Sequence, residues 1–308
     1  MSGKDVKVLI FYDMEGVSGI NDWRQVAIGQ KEYEESGRQL LTEDINAAVR
    51  GLRAAGATEI GIVNFHGASS NHVIPEKLEN GVKILGPALS KKMMEFLDKS
   101  VAAILIGFHG MANTKDGFLS HTVTPGQVVK INGKEIGEPY IIAIALSEYS
   151  IPVIMATGDQ TLVKQTSEFI PGIDMVQVKN SINKRTTECL PVEEARTLIE
   201  KTATSALSRR DSFKIVQVQK PIKIEVIFQM SMQAELVSLM PRAERSAENA
   251  VSYTAETPFE AIRFEYAANI MSSQVETTLL MMQLNRLKEV QKKVEKFFEK
   301  RVEQWLSS

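Results

Sequence analysis

The sequence predicts an α/β fold with a mainly parallel sheet and helices on both faces, plus a smaller α+β C-terminal domain ending in a long helix. Three observations carry this. Short runs at Val6–Tyr12 (mostly apolar), Thr58–Val63, and Val101–Phe108 (almost wholly apolar) read as buried strands. Segments with helical periodicity separate them. Each run gives way to a polar or glycine-bearing stretch, as βαβ units do when a parallel sheet is covered on both faces.

The elements follow in order. After the first strand, Gln30–Ala55 reads as a helix. Its Leu40, Leu41, Ile45, Ala48, Val49 and Leu52 recur at helical spacing, and Gly56 supplies the stop. The second strand runs into Asn64-Phe65-His66-Gly67, then a polar loop reaching His72, read as a surface residue. Gly86–Leu97 has an amphipathic helical pattern, and the third strand runs into His109-Gly110. Gln127–Glu135 reads as a hairpin turning at Asn132-Gly133. Gly137-Glu138-Pro139 opens a helix to about Tyr149, and Ile151–Ala156 is a fourth strand ending at Thr157-Gly158-Asp159. From Thr161 to Arg210 the pattern is helix, loop and helix.

The polar break at Arg209-Arg210-Asp211-Ser212 marks a domain boundary, with an α/β domain over 1–210 and an α+β domain with a long C-terminal helix over 211–308. In the second, Phe213–Val218 and Ile222–Phe228 read as strands and Ser231–Met240 as a short helix. Thr257-Pro258-Phe259-Glu260 is a capping box with proline at the first helical position. The tail from about Thr278 to Leu306 is helical, with a stripe of Leu284, Leu287, Val290, Val294 and Phe297 that needs a surface. That surface is either its own domain or another subunit. The thirteen methionines show no metal-binding spacing and read as core and interface filler.

Composition excludes several classes. A net charge of -2 gives no basic face for nucleic acid. No stretch approaches the roughly 20 apolar residues of a membrane span. The single cysteine, Cys189, has no histidine nearby to make it a nucleophile, and a lone cysteine fits a reducing compartment. With no signal-peptide pattern, the expected location is the cytoplasm. Neither a Gly-x-Ser-x-Gly elbow, a P-loop nor a His-Glu-x-x-His helix occurs.

The chemistry gathers at strand ends. Asp13 and Glu15 stand two apart where the first strand runs out, so in extended chain they share a face. Two adjacent carboxylates repel, and burying them unpaired is costly, so a cation between them is expected unless they merely cap the loop. His66 and His109 follow the second and third strands. Ligands of open parallel sheets bind outside the carboxyl ends of the strands, so these separate ends converge. Glu138, near a helix N-terminus, is either a fifth ligand or an acid that complements the helix dipole. Asp159 is either a support behind the ligands or a turn residue. Imidazole plus carboxylate suits zinc, with manganese, cobalt or iron as alternatives. Five donors exceed one tetrahedral zinc. Two ions sharing a carboxylate use them better, and such pairs polarise a carbonyl and acidify water. His121 is left over, as a general acid or base, an oxyanion donor, or a surface loop residue.

These residues also carry a resemblance. The chain resembles the DppA-type D-aminopeptidases, a family of zinc-dependent peptidases. The matches are Asp13-Met-Glu-Gly-Val-Ser-Gly19, Leu41-Thr-Glu43 with Asn46, His66 with Asn71, Gly107-Phe-His109, Leu119-Ser-His-Thr122, Asn132 with Gly137-Glu138, and Pro152-Val153 with Gly158-Asp159. Weaker likeness continues through Cys189-Leu-Pro191 and Gln233-Ala-Glu235 to Met240-Pro241, so about residues 6–275 are covered in order. The resemblance implies a two-zinc site on Asp13, Glu15, His66, His109 and Glu138, with His121 as the catalytic histidine. It implies a self-compartmentalising homo-oligomeric ring, commonly a decamer, acting on short peptides with an N-terminal D-residue. Three departures stand out. Val63-Asn64-Phe65 replaces the family's Asn-Asp-Ser, Gln160 replaces a second Asp, and the tail beyond about residue 275 is an addition.

The resulting expectation is an aminopeptidase with two metal ions. The rivals are a metal-dependent hydrolase of another amide and a ring-forming metal-binding protein without turnover.

Overall fold

The computed structural model describes residues 5–67, 71–284, 292, 293, 296 and 300. Its main sheet has seven strands: β1 (Lys7–Tyr12), β2 (Glu59–Asn64), β3 (Lys83–Pro87), β4 (Ser100–Ile106), β7 (Val153–Asp159), β8 (Asp174–Asn183) and β9 (Thr186–Cys189). Between β4 and β7 the chain makes the hairpin β5 (Val128–Ile131) and β6 (Lys134–Ile136), which belongs to a second sheet. The helices are α1 (Arg38–Ala54), α2 (Lys91–Leu97), α3 (Glu138–Ser147), α4 (Gln160–Phe169), α5 (Val192–Ser208), α6 (Ser231–Val237) and α7 (Pro258–Leu284). The second sheet is completed by β10 (Ile222–Ile227), β11 (Glu244–Ala247) and β12 (Ala250–Ala255).

The main sheet runs β3-β2-β1-β4-β7-β8-β9, all parallel except β9, which is antiparallel to β8. β1 alternates cleanly, as a strand buried on both faces must. Val8, Ile10 and Tyr12 join one core with Ile45, Leu52, Ala203 and Leu207 of α1 and α5. Leu9 and Phe11 join the other, with Phe96, Leu146 and Leu162 of α2, α3 and α4.

The second sheet, β11-β12-β10-β5-β6, is antiparallel and builds a third core against α3, α6 and α7. α3 is apolar around most of its circumference, the mark of a buried helix. Ile142, Ala143 and Leu146 face the main sheet, while Ile141, Ile144 and Ala145 face the second. This helix joins the two layers, and Glu138 is its first residue.

Local signals read from the sequence hold where a turn dictates conformation. Asn132 (φ 48°) and Gly133 (φ 82°) take the left-handed values of a tight hairpin turn. Thr257 Oγ1 accepts the Glu260 N–H at 3.2 Å to start α7. Three expectations are corrected. Gly86–Leu97 is not one helix: β3 occupies its start, and α2 begins at Lys91, capped by Ser90. β3 buries only Leu85, so period two was barely visible there. Phe213–Val218 forms no strand, although its alternation resembles one; Val216 and Val218 pack instead against the hydrophobic cores. The hairpin β8–β9 lies where helix, loop and helix were expected. The tail stripe at Leu287, Val290, Val294 and Phe297 lies outside the described residues. Among those described, no helix is long and apolar enough to cross a membrane.

Candidate metal centre

From β1 the chain proceeds to β2 and β3 on one side, then returns to β4 and β7 on the other. The crevice between β1 and β4 is therefore the topological switch point, where open α/β sheets bind ligands. Two backbone contacts hold it closed. The Asp13 N–H donates to the Ile106 carbonyl at 2.9 Å, and the Gly16 N–H donates to the Gly107 carbonyl at 2.8 Å. A Cβ at Gly16 would stand 1.7 Å from the Phe108 carbonyl oxygen, and Gly107 adopts φ 79°. Only glycines permit this approach.

Four segments bring their side chains together there. Asp13 and Glu15 come from the turn after β1. His66 follows β2 in a turn shaped by Asn64, whose Oδ1 accepts the His66 N–H at 2.9 Å and whose Nδ2 donates to the Gly67 carbonyl at 3.1 Å. His109 follows β4, and Glu138 begins α3. The three carboxylates and His109 are buried.

Asp13 occupies the centre. Its Oδ1 lies 3.0 Å from His66 Nδ1 and accepts the Met14 N–H at 2.8 Å; its Oδ2 lies 3.1 Å from His109 Nε2. Glu15 Oε2 is 3.2 Å from His66 Nδ1, and Glu138 Oε1 is 3.6 Å from His109 Nε2. Donor atoms of Asp13, Glu15 and His66 all lie within 4.8 Å of one another, and those of His109, His121 and Glu138 do likewise. Asp13 connects the two groups.

The far nitrogen of each imidazole is tied to a backbone carbonyl. His66 Nε2 is 3.0 Å from the Val26 oxygen, His109 Nδ1 is 3.0 Å from the Gly110 oxygen, and His121 Nδ1 is 2.7 Å from the Leu119 oxygen. A carbonyl only accepts, so each of these nitrogens carries the proton. In the neutral ring the other nitrogen holds a lone pair. For His66 and His109 that lone pair faces carboxylates, an arrangement that needs a positive charge between them. Carbonyl anchoring of the distal nitrogen is also how metal-ligating histidines are oriented. His109 Nε2 is buried with no hydrogen-bond partner among the described residues, despite its approach to Asp13. The donor set thus fits divalent cations.

The proton affinities reflect the same crowding. Burial alone would raise Asp13, but His109 and His66 hold its carboxyl well below the usual range. Glu15 resists burial and the charge of Asp13 and is lowered by His66. Burial pushes Glu138 up to about 8. His66 and His109 are raised well above the usual imidazole value, as the neighbouring carboxylates outweigh burial. A bound cation would take over the role of these protons. His121 goes the other way: burial and then His109 lower it, and its ring stacks on His109 with centroids 4.2 Å apart.

The five residues expected as ligands and His121 all meet here. His72, expected at the surface, does not lie there. It is fully buried, 2.8 Å from the Tyr33 hydroxyl through Nδ1, with its ring edge-on to His66 at 4.8 Å. Asp159 caps α4 and also accepts from the Phe118 N–H and the Ser181 hydroxyl, which fixes the loop leading to His121. Gln160 ties the same loop to β8 through the Asp116 and Ser181 carbonyls.

Lys179 was missed. It is buried on β8, and its Nζ donates to the Glu15 carbonyl at 2.8 Å and the Ile20 carbonyl at 2.6 Å. Burial lowers it to about 8. Val176 and Val178 alternate inward, so a regular strand would turn Lys179 outward. A register shift opposite Gly158 and Asp159 turns it in instead.

A family model described as D-aminopeptidase, peptidase family M55, matches residues 6–266. A D-aminopeptidase of Bacillus subtilis (strain 168) is 32% identical over 262 residues, 83% of this chain and 94% of the relative. A solved structure, described as the Zn-dependent D-aminopeptidase DppA from Bacillus subtilis, a self-compartmentalizing protease, is 28% identical. It aligns with a TM-score of 0.81 over 87% of this chain and 98% of its own.

Proposed function

This chain belongs to the D-aminopeptidase family, and from that premise we propose that it removes N-terminal residues, D-residues among them, from short peptides at a two-zinc centre held by Asp13, Glu15, His66, His109 and Glu138. It is a metal-dependent aminopeptidase, an enzyme that hydrolyses peptide bonds. The observation that carries the finer reading is Asp13, whose two oxygens face different histidines at 3.0 and 3.1 Å, as a carboxylate shared by two ions would.

When bound, such ions supply polarisation of the scissile carbonyl and a lowered pKa for water. The chain's own residues do the rest. Val26 and Gly110 fix the tautomers of His66 and His109. Glu138 is set by the Val123 N–H, which donates to its Oε1 at 2.7 Å, and by its place at the N-terminus of α3. His121 is assigned the proton transfers. With Nδ1–H donated to Leu119, its Nε2 is the basic nitrogen, and its lowered pKa keeps it neutral and able to accept a proton at pH 7.

Zinc and assembly are extended from the solved relative, named Zn-dependent and self-compartmentalizing. We propose a homo-oligomeric ring here, a decamer, with assembly assigned to residues 211–308. In support, α7 leaves Leu279, Leu280, Met281 and Met282 exposed. Cytoplasmic residence is proposed from the free thiol of Cys189.

Chelation is expected to abolish release of the N-terminal residue from D-alanyl peptides, and zinc to restore it. His121→Ala keeps two ions per chain and loses about 10²–10⁴ in kcat, the range of a general acid–base residue. Loss of one ion instead makes His121 a ligand, a role its place beside His109 and Glu138 also allows. Full turnover after chelation, or in His109→Ala, overturns the proposal.

A further inference from the structure

β8 and β9 meet in a tight turn at Lys184 and Arg185, and this turn is bonded to the loop that carries His121. The Leu119 N–H donates to the Lys184 carbonyl at 3.1 Å. A cavity of about 560 Å³ opens at this junction, lined by Trp23, Leu119, His121, Pro125, Lys184 and Arg185 among others. Sites for small molecules span roughly 300–1,000 Å³, so the volume suits a short peptide.

The cavity adjoins the metal centre through His121. One wall is the His121 ring, stacked on His109. Another is Trp23, in the 3-10 turn just before Val26, whose carbonyl anchors His66. Lys184 and Arg185 bring two cations to this lining, and among the described residues neither is ion-paired with a carboxylate. Trp23, Leu119 and Pro125 supply apolar surface.

We propose that Lys184 and Arg185 bind the C-terminal carboxylate of the substrate, which makes the enzyme selective for peptides with a free carboxylate over their amides. The inference rests on the aminopeptidase reading and adds recognition of the substrate's far terminus. Guanidinium is suited to this role because its fork matches a carboxylate, and the ammonium beside it adds charge. Both side chains reach solvent, so the selectivity weakens at high salt.

The test compares D-alanylglycine with its C-terminal amide on the zinc-loaded full chain. In wild type, kcat/KM for the acid exceeds that for the amide about tenfold, and 1 M NaCl shrinks the ratio. In the Lys184→Gln/Arg185→Gln double variant the ratio falls to about one, and in Lys184→Arg/Arg185→Lys it is kept. Equal cleavage of acid and amide by wild type, or an unchanged ratio in the double variant, overturns the inference. If wild type cleaves neither peptide, the aminopeptidase reading fails, and calorimetric titration with the same two peptides decides this inference separately. Tighter binding of the acid by wild type, lost in the double variant, supports it; equal binding overturns it.

Discussion

Gly16→Ala is the sharpest perturbation of the switch-point architecture, because it adds one methyl group and no charge. The new Cβ would lie 1.7 Å from the Phe108 carbonyl oxygen and 2.6 Å from its carbon, whereas real Cβ contacts begin near 3.0 Å. The turn after β1 and the turn after β4 must therefore part by roughly 1.3 Å, and the contact is with backbone, so no rotamer change relieves it. The first turn carries Asp13 and Glu15; the second carries His109. Displacing reacting groups by about 1 Å costs about 100-fold in rate. The variant should lose at least that much kcat/KM and one or both zinc ions. Stability should fall by about 2–4 kcal/mol, within the range of severe single substitutions. Steady-state hydrolysis, metal analysis and urea unfolding read the three effects. A Gly16→Ala protein with wild-type metal content and kcat/KM would refute the claim that this contact sets the site's geometry.

Two further substitutions test buried charges. Burial raises Glu265 to about 7, against the Gln127 amide, 2.8 Å away, which favours its ionised form. The folded state therefore binds a proton that the unfolded state has released, so this contribution is full below about pH 4.5 and is lost as pH rises through 7. Glu265→Gln should be about 3 kcal/mol more stable than wild type at pH 8 and no different at pH 4; a constant difference across that range would contradict the assignment. Lys179→Met removes the donor shared by the Glu15 and Ile20 carbonyls but also a buried ammonium, so the stability change should stay near 1–3 kcal/mol. Zinc affinity should fall about 10- to 100-fold as the Glu15 turn loosens, and unchanged affinity would reduce Lys179 to a packing role.

The main sheet was legible because β1, β2 and β4 are buried on both faces and read as mostly apolar runs. The site was legible for the same reason. Strand ends are easy to locate in such runs, and the topology rule says what lies beyond them. Elements built on few buried residues were not legible. β3 buries one side chain, and β8 changes face at a register shift that depends on Gly158 and Asp159 across the ladder. His72 was misjudged because its polar neighbours suggested a surface loop. Tyr33, far away in sequence, and His66 bury it. The joining of β5–β6 to β10 across nearly a hundred residues left no local signature, nor did the double burial of α3 beyond its apolar composition.

The most direct test is the ratio of bound zinc to chain in the purified protein, measured for wild type and for Asp13→Ala. Two ions per wild-type chain and fewer than one in the variant are expected, since Asp13 would supply a ligand to both ions of the proposed centre. A fully active wild-type protein carrying no divalent metal, or an Asp13→Ala variant that still holds two ions, would contradict it.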